Sequence, residues 1–355
     1  MYVSVFSGLI LLKYVVGKSR SRIQLGYWCA FVFLFIFSAF RFEVGCDWSG
    51  YLHQYNVYGA VPFAGLSQQS EPLWVGLFSL QVYWGLDYPW INVFSSMIFF
   101  AGLHVMARRQ PNALAFLILL FPVLIINMPM SGIRQGAAIG IMCIAFMAFV
   151  DRALVRFVLL VFLAATLHSS ALVFMLLAPL VTGKYSRTRL MMALILAAPG
   201  AFFLSGSEEA GVAVSRYINT NTEAAGALFR VGVLGLSGLY FLMFLRAKWT
   251  TAFPEDFKLA MIGALMMVGA LLLIPVSSVI ADRLAYYLIP IQVLILARIP
   301  YFQWQHNKRL HVLFPYALLL TMFVVWTTLS SLFDQCYRPY QTWIFGYPEM
   351  LRAYF

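Results

Sequence analysis

The chain has 355 residues, 62% of them hydrophobic and 10% charged, with a mean hydropathy of +0.83. So few charges cannot cover the surface of a soluble protein of this size, and repeated apolar runs of near-spanning length point to a polytopic membrane protein. The formal net charge of +11 does not indicate a nucleic-acid partner, because the basic residues fall in small groups between apolar runs, as they do in short cytoplasmic loops.

In chain order the apolar runs are approximately 2–17, 23–40, 72–86, 88–107, 112–128, 133–150, 157–167, 170–182, 190–206, 226–245, 259–275, 284–299 and 311–332. The first reads as a membrane segment and not as a cleavable signal, since the basic group Lys18, Arg20 and Arg22 follows it instead of preceding it. Several runs fall short of the roughly 20 residues a straight span needs, so some are tilted, broken or partly inserted. No soluble domain, low-complexity linker or fixed repeat interrupts them, so residues 1–355 read as a single integral membrane domain.

The positive-inside rule orients the chain. Lys18, Arg20 and Arg22 place the first loop inside, so the second helix delivers Arg41 to the outer face. A re-entrant 72–86 keeps Arg108, Arg109, Arg152 and Arg156 inside. A hairpin turning at His168 does the same for Lys184, Arg187, Arg189, Arg246, Lys248, Arg298, Lys308 and Arg309. With both choices, inner loops carry 16 Lys or Arg against 3 Asp or Glu, and outer segments 7 Arg against 9 Asp or Glu. The expectation is an all-α polytopic protein of about 12 transmembrane helices plus one re-entrant segment, with both termini outside.

That orientation gathers the chemistry-bearing residues on one face: the segments 41–71, 131–135, 168–170, 282–287 and 334–342. Ser70 with Pro72, Ser131, Ser169 or Ser170, and Asp282 read as N-caps of helices running inward. Helix N-termini offer free N–H groups and partial positive charge. Together with Arg41, Arg134 and Arg283 they describe a site for a strongly anionic group, and diphosphate matches the planar, multi-donor guanidinium. Each feature also has a plain reading: an arginine at a helix end can be a snorkelling anchor, Asp282 beside Arg283 a cap with an interfacial anchor, His168 a turn residue, and the aromatics at 48–58 an interfacial belt. Arg216 and Arg230, in the acidic stretch 207–230, read as solvated charges. Convergence on one face favours the site.

The ordered motifs resemble those of the EpsG family of polysaccharide-assembly membrane proteins, which belongs with the Wzy-type polymerases of O-antigen, capsule and exopolysaccharide. The block Arg41-Phe-Glu-Val-Gly-Cys-Asp47-Trp-Ser-Gly-Tyr51 is similar to the family's arginine, valine-glycine, aspartate and tyrosine block. Glu71-Pro72-Leu-Trp74, Ser131-Gly132-Ile133-Arg134-Gln135, Leu167-His168-Ser169-Ser170-Ala171-Leu172, Asp282-Arg283-Leu284-Ala285-Tyr286-Tyr287 and Tyr337-Arg338-Pro339-Tyr340 complete the order over nearly the whole chain. Ser131 stands where the family pattern has Asn, and Cys46 where a small hydroxyl residue is usual. The resemblance implies a fold related to the GT-C glycosyltransferases and a polyprenyl-diphosphate-linked oligosaccharide handled on the periplasmic face of the bacterial inner membrane. It also implies a chain-length regulator and a flippase as pathway partners.

The expected reaction joins an undecaprenyl-diphosphate-linked donor glycan to a lipid-linked repeat unit, with no nucleotide sugar, cofactor or metal. Arg134, Arg283 and Arg41 are the expected diphosphate ligands, although Arg41 could instead orient Asp47. Asp47, Glu71 and His168 are candidate bases for the acceptor hydroxyl. Asp47 is favoured because Val44-Gly45 and Ser49-Gly50 would hinge it inward. Trp48, Tyr51, Gln135, Asp282, Tyr337 and Tyr340 are candidate substrate contacts. The rival readings are a flippase of the same lipid-linked glycan and a ligase passing it to another acceptor. Cys29 and Cys143 lie in apolar runs as packing residues. Cys46 and Cys336 both fall outside, where a disulfide would tie the C-terminal segment to the Asp47 loop if the two lie close enough.

Overall fold

The computed structural model describes residues 1–17, 19–183, 187, 188, 191 and 226–346. The expected span over 190–206 (Met191 apart), the acidic stretch as far as residue 225 with its Arg216, and Lys18, Lys184 and Arg189 lie outside the described residues.

The apolar runs become helices whose ends are set by turn and capping residues. Helix α1 (Tyr2–Val16) stops at Gly17, whose φ of 65° suits glycine. There follow α2 (Arg20–Ala39), α3 (Trp48–Tyr58), α4 (Pro72–Tyr83) and α5 (Trp90–Ala107). Asn112 caps α6 (Ala113–Leu120) by accepting from the Ala115 N–H. Next come α7 (Ile133–Val150), α8 (Leu154–Ala165), a 3-10 segment at Ser169–Leu177, and α9 (Ala178–Val181). After residue 225 come α10 (Ala227–Tyr240), α11 (Arg246–Ala252), α12 (Phe257–Leu273), α13 (Ser278–Arg298), α14 (Lys308–Leu329) and α15 (Ser331–Tyr337).

Among the described residues, six helical stretches are long and apolar enough to cross a membrane: Arg20–Ala39, Trp90–Ala107, Ile133–Val150, Ala227–Ala252, Ser278–Tyr301 and Lys308–Leu329. Five more, Tyr2–Val16, Ala113–Ile125, Leu154–Ala165, Ser169–Val181 and Phe257–Leu273, are apolar and shorter. The protein is an all-α multi-pass membrane protein. Among the described residues its only β structure is a two-residue antiparallel pair, Arg41 opposite Thr342 and Phe42 opposite Gln341.

Four local features go beyond the hydropathy pattern or differ from it. The run 112–128 opens into a π turn at Phe121–Ile125, where Pro122 cannot donate to the helical ladder. The run 157–182 breaks between Ala165 and Ser169, around His168, as expected. Helix α4 has 12 residues, roughly 18 Å at 1.5 Å per residue, which is too short for a straight crossing. Asp282 is not an N-cap: α13 starts at Ser278, and the Ser277 side chain accepts from the Ile280 N–H, so Asp282 lies inside the helix.

The contacts divide the chain into two compact units. The first comprises Met1–Ile144, Leu163–Ser169 and Asn307–Phe355; the second comprises Ala145–Phe162 and Ser170–His306. In the first unit α2 packs on α1, α5 and α6. There α5 meets α7 backbone to backbone, since a Cβ on Gly102 would overlap the carbonyl of Gly140. In the second unit α10, α12 and α13 pack together as a group of three. Gly263 lets α12 approach Ile291 of α13, where an added Cβ would come within 2.5 Å of the Ile291 side chain.

Candidate functional site

The Arg41–Tyr51 stretch is held from several sides within the first unit. Arg41 is 1% exposed. Its Nε donates to the carbonyls of Val44 (2.8 Å) and Met130 (2.8 Å), and one terminal nitrogen donates to Ser38 (3.1 Å). Burial holds its guanidinium down at about 10, so it is still cationic at neutral pH. Gly45, at φ 105°, sits against the Met130 carbonyl where a Cβ would collide, and its N–H donates to the Cys336 carbonyl at 2.6 Å. Cys46 and Cys336 form a disulfide with Cα atoms 4.7 Å apart across 290 residues of sequence.

Two expectations are corrected by this geometry. Arg41, expected as a diphosphate ligand, is a buried clamp on backbone carbonyls, with Nε and one terminal nitrogen engaged there. The loop is also not a glycine hinge, since the clamp, the disulfide and the strand pair fix both of its edges.

Asp47 emerges from this loop exposed, at the N-cap position of α3. One turn later Tyr51 is 6% exposed, packs its ring on Trp74 at 5.5 Å, and accepts from the Arg134 backbone N–H at 3.4 Å. Burial, then the charge of Asp47, pushes the Tyr51 hydroxyl upward. Trp48 is half-buried between the Phe42 and Tyr88 rings.

Glu71 is the hub of the first unit's polar cluster. Preceding Pro72, it stands at the start of α4 and is 8% exposed. One carboxylate oxygen accepts from Arg134 at 2.7 Å. The other accepts from the Ser169 N–H at 2.9 Å and lies 3.7 Å from His168 Nδ1. The Leu73 and Trp74 N–H groups donate to the Thr166 carbonyl, which fixes α4 against the same turn. With both oxygens engaged, this buried carboxylate is an organiser: it orients Arg134 and His168 together. Arg134 is the second residue of α7 and its side chain is 29% exposed. Its Nε is buried and has no hydrogen-bond partner. A cation at a helix N-terminus with an unused donor is equipped to take an anion.

The remaining candidates of this unit are buried or half-buried. Gln135 is 7% and Tyr337 2% exposed. The Tyr337 ring stacks on Phe333 at 5.3 Å and meets Trp326 at 5.5 Å, so its faces are not open to a sugar. Tyr340 is half-buried, stacks on Phe37 at 4.7 Å, and donates its hydroxyl to the Phe37 carbonyl.

The second unit holds Asp282 and Arg283. Asp282 is 8% exposed, and Arg230 grips it with two parallel bonds: Nε to Oδ1 at 2.8 Å and a terminal nitrogen to Oδ2 at 2.8 Å. The Arg230 guanidinium also lies 5.6 Å from the centre of the Tyr286 ring. Asp282, expected as a substrate contact, is in this structure the ion-pair partner of Arg230. Arg283 is half-buried beside it. Ser170 Oγ lies 3.1 Å from the Tyr287 hydroxyl, joining the 3-10 segment to α13. Sequence reading missed Arg230 by assigning it to a solvated loop. The available signal was its place inside the run 226–245, where a charge needs a partner.

Among the described residues no group of three or more His, Cys, Asp or Glu could hold a metal ion. No curated protein and no solved structure matches this chain. The EpsG family model matches residues 25–342, a span that includes Arg41, Asp47, Glu71, Arg134, His168, Arg230, Asp282 and Arg283. The chain belongs to the EpsG family, whose known role is Wzy-type polysaccharide polymerisation.

Proposed function

We propose that the protein polymerises undecaprenyl-diphosphate-linked oligosaccharide repeat units of an O-antigen, capsule or exopolysaccharide at the periplasmic face of the bacterial inner membrane. The observation that carries this reading is Arg134: partly exposed at the start of α7, oriented by Glu71, and left with a buried, unpartnered Nε. The fold we infer is GT-C-like with 12 crossings: the six long helices, the five shorter ones and the run 190–206. Helix α4 is the re-entrant segment, consistent with its 12 residues.

A hydroxyl of the acceptor unit attacks the anomeric carbon of the donor sugar. The new glycosidic bond forms, and the bond from that carbon to the diphosphate oxygen breaks with its electron pair. Negative charge grows on the leaving undecaprenyl diphosphate, and fixed cations stabilise it. Arg134 and Arg283 are the proposed diphosphate ligands. Asp47 receives the hydroxyl proton, and its exposure in a rigidly held loop suits an acceptor arriving from outside. Glu71 orients Arg134 and His168. The leaving group carries the activation, so neither ATP nor a nucleotide sugar is consumed.

A cell carrying Arg134→Ala or Arg283→Ala should accumulate single repeat units and lose long chains. Near-wild-type chains from both variants would remove the diphosphate assignment. Asp47→Asn should be inactive while still binding donor lipid, and full activity there would transfer the base to His168.

A further inference from the structure

We propose that the Tyr51 hydroxyl is a second hydrogen-bond donor to the leaving diphosphate, relaying the positive end of α7 to the same anion that Arg134 takes. This role rests on the reading of Arg134 as a diphosphate ligand.

A helix N-terminus favours an anion, but the first N–H groups of α7 are already used. The Ile133 N–H donates to the Ser131 carbonyl at 2.8 Å, and the Arg134 N–H donates to the Tyr51 hydroxyl at 3.4 Å. Among the described residues the Tyr51 hydroxyl has no other hydrogen-bond partner, so its own proton is left to donate. A hydroxyl that accepts from an N–H is polarised by it and donates more strongly in turn. Burial, then the charge of Asp47, pushes this hydroxyl upward, so the phenol keeps the proton it has to offer. Arg134 carries the other unused donor, its buried Nε, on the same residue whose N–H meets Tyr51. Two donors without acceptors thus stand at one helix end, one neutral and one cationic.

The Tyr51 hydroxyl is also held in place. Tyr51 is 6% exposed, and its ring packs edge-on against Trp74 at 5.5 Å. Trp74 is fully buried and donates its indole N–H to Gln54 Oε1 at 2.9 Å. Gln54 follows Tyr51 by three residues on α3, and residues three apart are neighbours on a helix surface. At the start of α4, Glu71 fixes the Arg134 guanidinium at 2.7 Å while Trp74 fixes the Tyr51 ring. One short stretch of chain therefore sets both donors. Donors fixed in advance stabilise charge that grows on a leaving group without reorganising at the moment of reaction. Tyr51 lends a hydrogen bond and keeps its proton, so the atom balance of the reaction is unchanged.

The experiment uses the purified full chain, with folding checked by size-exclusion chromatography and thermal melting. It has two readouts: polymerisation of undecaprenyl-diphosphate-linked repeat units, and calorimetric binding of undecaprenyl diphosphate. Tyr51→Phe keeps the ring against Trp74 and removes the hydroxyl. Its kcat should fall about 100-fold with KM for the acceptor little changed, and undecaprenyl diphosphate should bind about tenfold more weakly. Wild-type affinity for undecaprenyl diphosphate in Tyr51→Phe overturns the proposal. Replacing Tyr51 with a ring-fluorinated tyrosine distinguishes a donor from a mere cap. Fluorine makes the hydroxyl a stronger donor and a weaker acceptor, so the relay predicts tighter binding of undecaprenyl diphosphate than in the wild type. Equal or weaker binding marks a hydroxyl that only caps the Arg134 N–H, and overturns the proposal. This variant retains the hydroxyl, so it decides the question even where Tyr51→Phe fails to fold. Arg134→Ala separates the two readings. Wild-type affinity there removes the diphosphate role of Arg134 and this proposal with it, whereas weakened binding in Arg134→Ala beside wild-type binding in Tyr51→Phe removes only the role given to Tyr51.

Discussion

Arg41 and Arg134 both belong to motifs of the first unit, and both look in the sequence like arginines at the outer end of a helix. Their surroundings separate them. Arg41 is 1% exposed, with its donors on the carbonyls of Ser38, Val44 and Met130. Arg134 has 29% of its side chain exposed, one bond to Glu71, and an Nε with no partner. The first arginine holds three stretches of backbone together, where an unpaired carbonyl would be costly. The second is held by a carboxylate and keeps a donor in reserve. An arginine in such a motif can thus be a buried clamp or a partly exposed cation, and what distinguishes the two is how far its donors are already used.

The comparison is broken most sharply by removing each arginine in turn. Arg134→Ala should leave a folded protein with polymerisation reduced by at least about 100-fold. A variant that elongates glycan normally would show that the reserve donor has no task. Arg41→Ala should act on folding instead. Losing a buried cation that satisfies three carbonyls should cost roughly 3–5 kcal/mol, seen as low membrane abundance and a lowered melting temperature. The folded fraction should still extend glycan, and a well-folded but inactive Arg41→Ala would return Arg41 to the site.

Smaller effects sharpen the same contrast. Cys46→Ser removes the link from the Asp47 loop to α15 and should cost about 2–4 kcal/mol in thermal or denaturant stability. Alkylation of the wild-type protein with and without reductant, followed by intact-mass measurement, checks the Cys46–Cys336 bond directly, and a thiol count unchanged by reductant would refute it. Glu71→Gln removes the charge that orients Arg134 while keeping the shape, and should lower the rate by about tenfold without loss of protein. Tyr340→Phe removes one hydroxyl bond to the Phe37 carbonyl and should cost about 1 kcal/mol of stability.

Much of the fold is legible in the sequence because apolar runs in a membrane protein mark helices directly: the run 133–150 coincides with α7, and 2–17 with α1 to within one residue. Local chemistry is legible as well, as with Pro72 opening α4 and the break around His168. What the sequence hides is pairing at a distance. Met130, which encloses Arg41, is 89 residues away, and Arg230 is 52 residues from Asp282. An aspartate near a helix start looks like a cap until the real cap, Ser277, is seen one turn earlier. The Glu71 cluster lies between these cases: its members were all identified from motifs, but which of them holds the others depends on which oxygen meets which nitrogen.

The most direct test of the central claim is glycan length after reconstitution. Purified wild-type protein and Arg134→Ala, matched for folding, are placed in liposomes with undecaprenyl-diphosphate-linked repeat units, and the products are resolved by mass spectrometry. The account predicts a ladder of lengthened glycans and released undecaprenyl diphosphate from the wild type, and unextended repeat units from Arg134→Ala. Equal ladders from both proteins, or wild-type protein that only moves single repeat units across the bilayer, would contradict it.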